Sequence, residues 1–203
     1  MIFVKIFIRT GVAILPYSFV LLSPILFLFP VIIDFWVVFS ILFMQRCLLR
    51  PLAEQRFLTK IVYLSNYPIK QYLRSFNLFL AFTINLWCAA LLAIAILAMG
   101  KVTFHAAILA LLLMNTILFA CFTVGNSLEL SDFSTIKNTI LRKIAENFLL
   151  SLVVSVIFFS YLLISIFFTD HRLFILLGLL AISLFFWHTS LNKINQIKYF
   201  HYL

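Results

Sequence analysis

The sequence predicts an all-α polytopic membrane bundle: six transmembrane helices with both termini on the cytoplasmic side, forming a single domain over residues 1–203. Three observations predict it. Hydrophobic residues make up 65% of the 203-residue chain and charged residues only 10%, where soluble domains run about 45–50% apolar and about 25% charged. The mean hydropathy is +1.18. With six spans and an internal N-terminus, 13 of the 15 Lys and Arg residues fall in inside segments, as the positive-inside rule requires. This composition excludes a soluble enzyme, a disordered chain and a disulfide-stapled secreted module.

Lys5 and Arg9 precede the first apolar run. No small-residue cleavage site follows and the run exceeds a signal peptide's apolar region, so it reads as a retained first span. Residues 11–44 form one long apolar stretch whose single charged residue is Asp34. As one helix they would reach about 51 Å at ~1.5 Å per residue, against a hydrocarbon core of about 30 Å. A tight hairpin at Pro30–Asp34 resolves the excess, giving span 1 at 11–30 and span 2 at 33–49. One long helix kinked at Pro16, Pro24 and Pro30 is the alternative.

Residues 45–75 carry Arg46, Arg50, Arg56, Lys60, Lys70 and Arg74 against the single acid Glu54. Span 3 follows at 76–99 and stops at Gly100-Lys101. Span 4 covers 103–125, ending near Gly125-Asn126-Ser127. A polar stretch runs to Asn147, and span 5 occupies 148–168. Thr169-Asp170-His171-Arg172 makes a tight turn into span 6 at 173–191, which ends in a short basic tail with Lys193 and Lys198. With six spans and an internal N-terminus, only Lys101 and Arg172 of the 15 Lys and Arg residues fall outside. A five-span arrangement moves Lys5 and Arg9 outside as well and satisfies the charge rule less well. The formal charge of +9 therefore reads as basic loops facing anionic lipid, not as a nucleic-acid surface.

Chemistry-bearing motifs are sparse. Cys47, Cys88 and Cys121 are scattered and read as isolated apolar thiols. The sequence holds no HExxH, GxSxG or Walker A motif, and no cofactor or metal is expected. Asp34 and His105 fall at outer span ends and His188 near an inner end. The span interiors thus lack the ionisable groups that mark proton relays and charged ion filters. Polar residues within spans are Asn77, Thr83, Asn85, Asn115, Thr116, Thr123, Ser151, Ser155, Ser160, Tyr161 and Ser165. Ser151, Ser155 and Ser165 share one side of span 5, where they either line a cargo path or make interhelical hydrogen bonds; the second is favoured.

Two inside loops are amphipathic. Phe57, Ile61 and Leu64 recur at helical spacing among Arg56 and Lys60, as in a helix lying at the membrane surface. Ser65-Asn66 is a turn, and Pro68 in Tyr67-Pro68-Ile69-Lys70 suits the first turn of the next helix. In the second loop Phe133, Ile136, Ile140 and Ile144 form a stripe, with Ser131 or Asp132 available as a cap. Each loop serves either as a lipid-facing interfacial helix or as a docking surface for a soluble partner.

Six spans, internal termini and Tyr67-Pro68-Ile69-Lys70 just before span 3 resemble the permease subunits of ABC exporters. That family carries a Leu-Pro-Ile or Leu-Pro-Val element in this loop. Here Tyr67 stands for the Leu, Lys70 replaces a frequent Ser or Thr, and Arg74-Ser75-Phe76 lacks the usual Gly-Lys pair. The 169–172 turn has no room for re-entrant helices. The resemblance implies a multi-pass protein of the bacterial cytoplasmic membrane. Phe57, Ile61, Leu64, Tyr67, Pro68, Ile69 and Lys70, with Phe133, Ile136 and Ile140, would couple to a cytoplasmic ATP-binding subunit. A second permease copy or a homologous permease would pair with this one. A non-transport scaffold or assembly subunit of a larger membrane complex is the alternative.

Overall fold

The computed structural model describes residues 22–24, 26, 33–43, 69–100, 102–130 and 139–194, and every element among them is helical. We number them α1 (Ile33–Phe43), α2 (Ile69–Met99), α3 (Phe104–Leu130), α4 (Thr139–Phe167) and α5 (Arg172–Ile194), with a 3-10 turn at Thr169–His171 between α4 and α5. Four segments are long and apolar enough to cross a membrane: Lys70–Leu97, Phe104–Leu128, Ile144–Phe167 and Arg172–Ile194. They correspond to predicted spans 3 to 6 and mark the chain as a multi-pass membrane protein. The 11 residues of α1 span about 16 Å at ~1.5 Å per residue, about half of a bilayer core. They begin at Ile33, where predicted span 2 begins. Predicted span 1 lies almost wholly outside the described residues.

The helices outrun the predicted spans. α2 begins seven residues before position 76, at Ile69, one residue after Pro68, whose fixed φ suits the residue entering a helix. α3 continues through Gly125-Asn126-Ser127 to Leu130. Its Gly125 is buried within the helix and does not end it. α4 begins at Thr139 and runs unbroken to Phe167. The second half of the predicted 132–146 surface helix is therefore continuous with span 5, because no Gly or Pro interrupts 139–167.

The α2–α3 connection is a capped helical hairpin. Gly100 has φ 60° and donates its N–H to the Ile96 carbonyl at 3.1 Å, the left-handed C-terminal cap that glycine adopts without penalty. Thr103 then caps α3: its Oγ1 accepts the Ala106 N–H at 3.2 Å and its carbonyl accepts the Ala107 N–H at 3.1 Å, satisfying donors that a helix start leaves open.

α3 is the central helix. It packs against α1, α2, α4 and most extensively α5, and 61% of its apolar window is buried against 22% for α5. Ala110, Leu113, Met114, Ile117, Leu118, Cys121 and Phe122 form its sealed faces. In α2, Leu73, Phe76, Leu80, Ile84, Cys88, Leu91 and Ala95 recur every three or four residues and are buried. The opposite side exposes Leu78, Phe82, Leu86 and Leu97. Apolar side chains on both faces are what a helix between protein and lipid requires. Many of the phenylalanines fall on the outward side, among them Phe82, Phe148, Phe159, Phe174, Phe185 and Phe186.

Helix directions follow from the side-chain contacts. Asn85 meets Asn115, so α2 and α3 run antiparallel. Phe119 meets Trp187 and Asn126 meets Ser190, so α3 and α5 run parallel. Gly100, Phe104, Phe168 and Arg172 therefore share one end of the bundle, and Lys70, Leu128 and Asn192 the other.

Candidate functional site

The polar groups of the bundle fall into three layers. In the middle, Asn85 of α2 and Asn115 of α3 form a reciprocal amide pair. Each Nδ2 donates to the other's Oδ1 at 2.8 Å. Their second N–H groups go to the Ala81 and Leu111 carbonyls of their own helices, both at 2.8 Å. Two amides at facing positions of antiparallel helices thus satisfy their donors where no water is at hand.

Toward the Lys70 end lies a second layer. Asn126 Nδ2 donates to Ser190 Oγ at 2.9 Å, and Ser190 Oγ donates in turn to the Trp187 carbonyl at 2.7 Å. Lys70 Nζ donates to Asn192 Oδ1 at 2.6 Å, tying the first turn of α2 to the last turn of α5. Asn77 sits on the buried face of α2 at 2% exposure. Its Nδ2 and the Trp187 Nε1 have no hydrogen-bond partner among the described residues.

The third layer is at the Gly100 end. Arg172, which opens α5, donates from one Nη to the Ser165 carbonyl at 3.4 Å, so a cation meets the C-terminal end of α4. Tyr161, one turn before Ser165 on α4, is buried, and Asp34 in the first turn of α1 is half-buried. Phe35 packs edge-on against Phe158, centroids 4.9 Å apart, and brings α1 onto α4 about two turns before Ser165.

The predicted cargo path is partly sorted by this geometry. Leu150, Val154, Phe158, Tyr161 and Ser165 form the buried stripe of α4. Ser165 lies within it and donates to the Leu162 carbonyl at 2.9 Å. Ser151 and Ser155 are half-buried along one edge of the stripe. Of the predicted coupling residues, Phe57, Ile61, Leu64, Tyr67, Pro68, Phe133 and Ile136 lie outside the described residues. Ile69 and Ile140 belong to α2 and α4 by their backbone alone, and Lys70 is placed with its side chain. Among the described residues no group of three or more His, Cys, Asp or Glu side chains comes together.

Interhelical bonding is the favoured reading for Ser151, Ser155 and Ser165; the pair seen to bond between helices is Asn85–Asn115, while Ser165 donates within its own helix. The hydroxyls behave differently. Thr83, Thr116, Thr123, Ser127 and Thr189 each donate to the carbonyl four residues back in their own helix, a local bond that competes well where no outside partner exists. Sequence reasoning missed the contacts of Asn126, Ser190 and Asn192. The signal was present: three polar residues recur near the same ends of two spans that run in the same direction.

Comparison with family models, curated proteins and solved structures finds no match to this chain.

Proposed function

We propose that the chain is the membrane-spanning permease subunit of an ATP-driven ABC exporter of the bacterial cytoplasmic membrane. In this reading it works as a pair of permeases with a separate cytoplasmic ATP-binding subunit. The observation that carries the reading is the Lys70–Asn192 bond. Lys70 ends the Tyr67-Pro68-Ile69-Lys70 element and opens a 31-residue helix. A displacement imposed on the preceding loop enters α2 directly. It reaches α5 through Asn192, and α3 through Ser190 and Asn126. That is the linkage a loop driven by a soluble motor needs. The ionisable side chains Lys70, Arg74, His105, Glu146, Arg172, His188 and Lys193 of the four described spans lie toward helix ends. A coupled proton needs a titratable site within the membrane, so an external energy source fits better.

Purification in mild detergent, followed by identification of co-purifying subunits, tests the proposal. An ATP-binding subunit should come with the wild-type chain. It should be lost on Phe57→Asp/Ile61→Asp while the chain stays inserted. Survival of the complex in the double variant would mean that these side chains face lipid. The lone chain in vesicles should neither hydrolyse ATP nor move solute uphill, and proton-driven transport by it would overturn the reading.

A scaffold role is favoured by one observation. Asn85 and Asn115 spend their donors on each other and on their own helices, which leaves α2 and α3 little polarity at mid-depth to offer a cargo. Co-purification of other membrane subunits without an ATPase would select it.

A further inference from the structure

We propose that the Lys70 end of the bundle carries a binding site for the headgroup of an anionic phospholipid, built on the Lys70–Asn192 bond between α2 and α5 and flanked by Arg74 and Lys193. The site does not depend on an ATPase driving the chain.

The chemistry of that one bond sets the donors. Lys70 Nζ donates to Asn192 Oδ1 at 2.6 Å, at the surface of the protein. An ammonium has three protons and no acceptor, so the amide turns its oxygen toward Lys70 and its Nδ2 away. Two ammonium protons and the Asn192 N–H groups are thereby held side by side for an acceptor that brings several oxygens at once. Arg74 stands one helical turn beyond Lys70 on α2, and Lys193 follows Asn192 on α5; both are exposed. A guanidinium adds a fork of donors that matches a phosphate. Three cations and an amide from two helices thus lie within one turn of a single contact. Among the residues whose side chains are described, Glu146 is the one acid at this end, and it is 6% exposed. The exposed surface here is therefore positive and complements an anion.

Apolar rows start from the same cations. Continuing every fourth residue from Lys70 and Arg74 brings Leu78 and Phe82, 42% and 66% exposed. On α5, Phe186 and Ile182 lie two and three turns before Lys193 on its side of the helix, 55% and 54% exposed. Arg74 to Phe82 covers about 12 Å and Lys193 to Ile182 about 16 Å, close to the roughly 15 Å depth of one leaflet of the hydrocarbon core. A free anion or an acidic peptide would use the cations alone. A phospholipid uses the cations with its headgroup and the apolar rows with its acyl chains, and this continuity favours it.

Native mass spectrometry of the full chain, released from detergent, counts bound lipids directly. Palmitoyl-oleoyl phosphatidylglycerol should bind about tenfold more tightly than phosphatidylcholine with the same acyl chains. Arg74→Gln and Lys193→Gln should each weaken the phosphatidylglycerol adduct several-fold. Asn192→Asp separates binding from structure: its carboxylate keeps the contact with Lys70 but sets a negative charge where the outward amide stood. It should lower the affinity by about tenfold with no fall in the thermal unfolding temperature. Arg172→Gln, which removes one charge at the opposite end, should leave the affinity unchanged. Equal binding of the two lipids would overturn the site. So would a phosphatidylglycerol preference that survives Asn192→Asp, a loss in that variant accompanied by a fall in unfolding temperature, or a loss in Arg172→Gln as large as in Arg74→Gln, which net charge alone would explain. Displacement of the lipid by millimolar inorganic phosphate would make this a free-anion site, and a dimer mass abolished by Asn192→Asp would make it a contact between copies; either result overturns the lipid.

Discussion

Replacing Asn85 by Leu removes both halves of a reciprocal pair in one step. The two 2.8 Å interhelical bonds vanish, while Asn115 keeps its bond to the Leu111 carbonyl and its Oδ1 is left without a donor. Side-chain hydrogen bonds between membrane helices are worth about 0.6 kcal/mol on average and up to about 1.7. Two of them plus one stranded acceptor put the single variant at about 2 kcal/mol of lost stability. Asn115→Leu alone should cost the same. The double variant should cost less than the two singles together by about 1–2 kcal/mol, because the second change removes a group whose partner is already gone. Unfolding in mixed detergent–SDS micelles reads this through the fluorescence of Trp187, which packs on Phe119 of α3 at 5.1 Å, in a chain with Trp36 and Trp87 replaced by Phe. Additivity of the two changes to within about 0.5 kcal/mol would refute the reasoning. The amides would then be bonding elsewhere.

Other expectations follow from the local structure. Gly100→Ala should destabilise by about 1 kcal/mol through backbone strain alone, since no atom lies within 4 Å of the added Cβ; Gly178→Ala, equally unobstructed but helical, should be neutral or stabilising by up to about 1 kcal/mol; thermal unfolding of the two variants side by side separates them. Thr103→Ala should lower stability by about 1 kcal/mol by removing the cap on the Ala106 N–H, and Thr103→Ser should restore most of it. Cys88 and Cys121, both 0% exposed, should stay unlabelled by thiol reagents in the native membrane and react once the chain is denatured. For the six-span topology, cysteines introduced near 3, 32, 102, 135, 171 and 200 should place 32, 102 and 171 outside; an outside-only reagent that reaches 3 or 200 refutes it.

The four long spans were legible because 18 or more apolar residues in a row have few other fates. Their ends were harder to read. Hydropathy falls at Arg74, Asn126 and Lys143, yet the backbone stays helical, because leaving a membrane does not require ending a helix. The 3-10 turn at Thr169–His171 and the cap at Gly100 were readable from residue type. Pairing was not. Asn85 and Asn115 were both recognised as polar span residues, but their register across a hairpin depends on turn geometry that no periodicity encodes. Asp34 and Arg172 were placed separately at the same outer face. The Phe35–Phe158 contact depends on α1 packing against α4, a long-range contact that sequence pattern does not specify.

The chain's hydrogen bonds also set an order of events during synthesis. The α2–α3 hairpin satisfies its own mid-depth amides across a separation of 30 residues, so it can leave the insertion machinery as a finished unit. Asn126 has to wait for Ser190, 64 residues later, and Lys70 for Asn192, 122 residues later. At roughly 5–20 residues per second, these polar groups spend several seconds to some tens of seconds without their eventual partners. A nascent chain stalled in that interval exposes an amide and an ammonium at the same end of an otherwise greasy hairpin. It is in that interval that a membrane chaperone or protease would tell an incomplete chain from a complete one.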